Sequence, residues 1–66
     1  MTNFITLKNH YGSVVMININ EITAVVEASK DKNYKTLIRM SDGNSISTDY
    51  EIYDIISGIE AKMKGA

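Results

Sequence analysis

The chain predicts a small α+β domain: a curled antiparallel sheet of about five short strands, a half-barrel, followed by one C-terminal helix packed on it. Three observations carry the prediction. Apolar residues alternate with a period of two through much of residues 3–48, the period of a strand. Turn residues, chiefly Gly12 and the Asp42-Gly43 pair, separate the alternating segments. After Thr48 the spacing changes to three and four, and Ile52, Ile55, Ile56, Ile59 and Met63 form a helical stripe. With 66 residues, positions 1–66 make one domain.

Residues 3–8 read as the first strand, with Ile5 and Leu7 on one face and Phe4 and Thr6 on the other. Residues 9–13 are turn chemistry, and Gly12 is the residue best able to take a positive φ. Residues 14–18 complete a hairpin that is apolar on both faces, with Val15 and Ile17 opposing Val14 and Met16. Asn18 to Glu21 breaks the pattern and predicts a short turn, because asparagine side chains bond nearby backbone. Residues 22–28 resume as a strand, with Ile22, Ala24 and Val26 opposing Val25, and residues 29–33 form a charged tip. Residues 34–40 and 45–48 make the last two strands, joined across Asp42-Gly43 as a tight hairpin.

A helix is then expected over about 49–64. Thr48 with Glu51 three residues on fits a reciprocal capping box, and Asp49 adds negative charge at the positive end of the dipole. Lys62 and Lys64 suit the other end, and Gly65 suits a left-handed stop. Four isoleucines and Gly58 weaken the helix by propensity, the glycine by about 1 kcal/mol, so it depends on docking to the sheet. One helix covers one face. The second apolar face, carrying Phe4, Val14 and Met16, must be closed into a barrel or covered by another chain.

Composition narrows the function classes. Cysteine is absent, which removes disulfides and thiolate ligands, and His10 is the single histidine. The net charge of -1 gives no field for polyanions. The first residues lack a basic segment followed by an apolar one, and no apolar run reaches the roughly 18 residues a membrane span needs. A cytoplasmic protein of bacterial or phage type, with no membrane partner and no cofactor, is expected.

Few residues carry chemistry. His10 sits in a turn with no second histidine and no adjacent nucleophile, so a structural role is expected. Asp49, Glu51 and Asp54 cluster, but helix capping accounts for the first two and the spacing of a calcium loop is absent. Lys30, Lys32, Lys35 and Arg39 beside Tyr34 form the one basic patch with an aromatic, interrupted by Glu27 and Asp31. Tyr11, Tyr34, Tyr50 and Tyr53 are numerous for this length, and tyrosine favours surfaces that are half apolar and half polar.

The segments Ile17-Asn18-Ile19-Asn20-Glu21-Ile22, Ser41-Asp42-Gly43-Asn44 and Tyr50 through Ile56, taken in order, resemble the small bacterial flagellar swarming-motility proteins. More distantly they are similar to the β-rich half of LytTR-type DNA-binding domains. Where the flagellar proteins usually place Glu-Ser before the helix, this chain has Thr48-Asp49-Tyr50-Glu51. The LytTR likeness implies basic loops that reach DNA, and the loops here are short and mixed in charge.

The expectation is therefore a non-enzymatic interaction protein, plausibly phage-encoded, that self-associates as a dimer and binds a protein partner. Phe4, Val14, Met16, Tyr34 and Tyr53 are the candidate contact residues. Alternatives are a nucleic-acid-binding regulator using Lys30, Lys32, Tyr34, Lys35 and Arg39, and an oligomer that sequesters a small ligand.

Overall fold

A computed structural model describes residues 3–65. The chain runs β1 (Phe4–Lys8), β2 (Val14–Asn18), a 3-10 turn (Ile19–Glu21), β3 (Ile22–Glu27), β4 (Thr36–Met40), β5 (Ser45–Thr48) and α1 (Ile52–Gly65). The α+β order of antiparallel strands and a final helix is as expected. The single curled sheet is not: β1 and β2 form one sheet, β3, β4 and β5 another, and the two do not close into a barrel.

The division has a local cause. Asn18 accepts a hydrogen bond from the Asn20 backbone through its side chain, and Ile19 N–H donates to Asn3 O, so the chain coils for one turn. β2 and β3 are thereby joined at a corner rather than by a hairpin that would pair them. Ile19 is buried at that corner. On the opposite flank β1 and β5 approach through His10 N–H to Ser47 O at 2.7 Å and the Thr48 hydroxyl to Lys8 O at 2.8 Å.

The β1–β2 and β4–β5 hairpins use the same turn. Asn9 N–H bonds Ser13 O, Gly12 N–H bonds Asn9 O, and Gly12 has φ +88°. Met40, Asn44 and Gly43 repeat the pattern, with Gly43 at φ +91°. Each is a three-residue loop ending in a left-handed glycine. The two-residue form with Asp42-Gly43 at its centre would need a positive φ at Asp42, and among the described residues positive φ occurs only at Gly12 and Gly43. Asp42 instead accepts the Asn44 amide through its side chain.

β3 departs from the expected alternation. Its register with β4 steps from Ile22↔Met40 to Ala24↔Arg39, which leaves Thr23 as an extra residue. That bulge resets the period, so Ile22 and Val25 both face the core while Val26 turns outward. β4 begins at Thr36, so Tyr34 and Lys35 belong to the preceding loop.

The core is Leu7, Ile17, Ile38 and Ile55, so both sheets and the helix contribute to it. Ile59 packs against this cluster, whereas Met63, the last of the stripe, is exposed. The helix begins later than the capping box predicts. Asp54 and Ile55 N–H groups bond Glu51 O, which makes Glu51 the residue at the cap, and the helix runs through Gly65 instead of stopping before it. Thr48 is the last residue of β5 and has no solvent exposure. Among the described residues no helix is long and apolar enough to cross a membrane.

Candidate functional site

Period-two geometry puts Val14 and Met16 on the face of β2 away from the core, and they are 67% and 69% exposed. Their cross-strand partners are Lys8 and Thr6. Phe4 lies diagonally beyond Met16 on the same face and is half-buried. The candidate contact residues Phe4, Val14 and Met16 thus form one stripe across the hairpin. Tyr53 is 76% exposed on the first turn of α1, a different element from that stripe.

Tyr34 belongs to a cluster at the hairpin tip that the sequence left unassembled. His10 stacks edge-on with Tyr11 at 5.3 Å between ring centres and with Tyr34 at 6.2 Å. Its Nδ1 lies 2.8 Å from Asp49 Oδ1. Backbone and side chain of His10 therefore both tie the tip of the first hairpin to the end of β5. Tyr11, not among the contact candidates, is 83% exposed beside it. Nothing in the spacing of positions 10, 34 and 49 signals their meeting, since a loop and two sheet corners intervene.

The three carboxylates after β5 are dispersed to separate tasks. Asp49 faces His10, Glu51 Oε2 accepts from Lys35 Nζ at 2.8 Å, and Asp54 lines a groove. Among the described residues no group of three potential ligands could hold a metal ion. Lys35 is held above its ordinary value by its hydrogen bond to Glu51, then by the charge of Glu51 and, less, Asp49, with desolvation opposing.

The basic candidates are likewise spread out. Lys30 and Lys32 are exposed on the loop before β4, and Lys35 is engaged by Glu51. Arg39 projects from the outer face of β4, about 13 Å along the chain from Lys35. Asp31 sits between the two loop lysines and accepts from Ser29 at 2.5 Å.

An open groove of about 730 Å³ lies between β1 and α1, lined by Ile5, Thr6, Leu7, Asp54, Gly58 and Lys62 among others. Smaller hollows flank it, one of about 260 Å³ at His10 and Asp49, the other of about 400 Å³ between β3 and the end of α1. Comparison with known proteins finds no matching family model, no similar curated protein and no similar solved structure.

Proposed function

We propose that this chain is a small non-enzymatic cytoplasmic protein that self-associates and modulates a protein partner through the outer face of the β1–β2 hairpin. The carrying observation is the exposure of Val14 and Met16 side by side on a face that none of the described residues covers. Burying a side chain of this kind contributes about 1.5–3 kcal/mol. Methionine adapts its shape to a partner, and neighbouring Lys8 and Thr6 supply a polar rim. A standard interface takes about 800 Å² from each side, roughly a sixth of the 4682 Å² exposed here, so Phe4 and the Tyr11 tip belong to it as well.

Sedimentation equilibrium of the wild type and of Val14→Ser with Met16→Ser tests the self-association. The wild type is expected to sediment as a dimer and the variant as a monomer of unchanged fold. Identical behaviour of the two proteins, together with partner capture by the variant as efficient as by wild type, sinks the reading. Affinity for DNA or RNA that falls steeply with salt and is lost on changing Lys30 and Lys32 would favour the nucleic-acid alternative.

A further inference from the structure

The ladder between β1 and β2 leaves half of the β1 backbone unused. At its two ends Ile19 N–H bonds Asn3 O and Asn9 N–H bonds Ser13 O. Hydrogen-bonded pairs alternate in an antiparallel ladder, so Ile5 and Leu7 face β2 with their backbone groups while Phe4, Thr6 and Lys8 face the opposite edge. Lys8 O is taken there by the Thr48 hydroxyl. The amide and carbonyl groups of Phe4 and Thr6 have no partner among the described residues, and Thr6 is exposed.

The lane beside that edge is the continuation of β5. The chain enters it at Ser47 and Thr48, then turns away after Tyr50 into α1. What the turn vacates is the groove of about 730 Å³, with Tyr50 at its lip, Ile5 and Leu7 on one wall and α1 on the other. This volume falls in the range of ligand-binding clefts, about 300–1,000 Å³. The helical wall is low where it matters: a Cβ built on Gly58 meets nothing within 4 Å, and Ala61 lies one turn on.

Charge says what fits. Asp54 and Lys62 both line the groove, both are exposed, and neither is ion-paired within the described residues. Eight residues of helix separate them by about 12 Å, which an extended chain spans in about four residues. We propose that this groove takes an extended segment of a partner protein, added as a strand beside β1, with apolar residues between a cation and a carboxylate about four residues apart. Backbone bonds to Phe4 and Thr6 supply the affinity, Ile5 and Leu7 receive alternate side chains, and Asp54 and Lys62 fix the direction of the segment. The surface lies across β1 from the Met16 face, so it stands or falls independently of the interface proposed above.

The test selects peptides from a displayed random library on the full chain, with Gly58→Leu as counter-target. Leucine fills the groove without meeting another atom at its Cβ, and circular dichroism checks that the variant folds. Enriched peptides are expected to carry the charge spacing and to lose at least tenfold in affinity, on the order of 1.4 kcal/mol, on Gly58→Leu. Binding should slow hydrogen exchange at the Phe4 and Thr6 amides. The double variant Asp54→Lys with Lys62→Glu should shift preference by about tenfold toward a peptide with its two charges exchanged, since each exposed pair is worth about two- to fivefold. Enrichment of no Gly58-sensitive peptide overturns the proposal, as does protection confined to other amides. Concentration-dependent protection of Phe4 and Thr6 without peptide that persists in the Val14→Ser with Met16→Ser variant assigns the lane to a second copy and overturns it too.

Discussion

Replacing Thr48 separates two accounts of how α1 begins. As a helix cap, Thr48 would accept Asn, Ser or Asp with little change or a small gain, because these residues cap as well or better. In the structure Thr48 ends β5 with no solvent exposure, donates to Lys8 O at 2.8 Å and receives the Tyr50 amide at 3.4 Å. Thr48→Val keeps the shape and removes both bonds, leaving a carbonyl and an amide unsatisfied, at about 1–3 kcal/mol. Thr48→Asp places a carboxylate in the same closed site, which costs several kcal/mol when no cation pairs with it. A domain of this size is stable by roughly 3–10 kcal/mol in all. Thermal and urea unfolding followed by circular dichroism should therefore show Thr48→Val losing about 4–24 °C in Tm, at about 4–8 °C per kcal/mol, and Thr48→Asp largely unfolded. A Thr48→Asp protein as stable as wild type, with an unchanged urea slope, would refute the strand assignment and restore the cap.

The remaining perturbations probe other parts of the same fold. Gly12→Ala and Gly43→Ala should each lose about 1–2 kcal/mol in denaturant unfolding, from the left-handed backbone alone, since a Cβ meets nothing within 4 Å at either site. Ile38→Ala removes the side chain at the centre of the core and should cost about 2–5 kcal/mol by the same measurement, a large share of the total stability. Met16→Thr, on the exposed face, should change monomer stability by no more than about 0.5 kcal/mol while weakening any self-association seen by sedimentation. The raised Lys35 value means that its pairing with Glu51 contributes fully below the ordinary lysine value of 10.5 and is lost as pH rises through the higher folded value. The stability difference between wild type and Lys35→Gln should accordingly stay flat up to that alkaline range and shrink above it; a difference already shrinking between pH 7 and 9 would contradict the pairing.

The parts of the fold legible in the sequence are those fixed by local periodicity. β2 and β5 fall at the expected residues because each is bounded by a turn whose chemistry is written in two or three adjacent side chains. The face assignment of β1 and β2 also holds, with Leu7 and Ile17 inward and Val14 and Met16 outward. What failed was whatever depends on a partner distant in the chain. The Thr23 bulge on β3 is decided by the step in its register with β4, and no β3 residue announces it. The cap misreading is of the same kind: Thr48 and Glu51 have the right spacing, but the hydroxyl is claimed by Lys8, forty residues away. Glu51 is likewise drawn to Lys35. For the candidate site, exposure of Val14 and Met16 was readable from alternation, whereas the meeting of His10, Tyr34 and Asp49 required the tertiary path.

Thr48 has a twin whose position explains why the fold ends as it does. Thr36 is its cross-strand partner, is equally without exposure, and donates to Tyr50 O at 2.8 Å. Two adjacent buried hydroxyls thus hold Lys8 O and both backbone groups of Tyr50, and no buried side-chain oxygen or nitrogen among the described residues is left without a partner. A pair of valines at these positions would suit strand propensity and core burial better. It would leave three backbone groups orphaned at the point where β1, β5 and the lead into α1 converge. The threonines therefore act on topology more than on packing. By fixing Tyr50 they stop β5 from running on beside β1, send the chain into the helix, and keep the Phe4–Thr6 edge open. Thr36→Val and Thr48→Val share Tyr50, so their stability losses should couple by about 0.5 kcal/mol or more instead of adding. Strict additivity in a double-mutant cycle would show that the two hydroxyls serve separate contacts and not one junction.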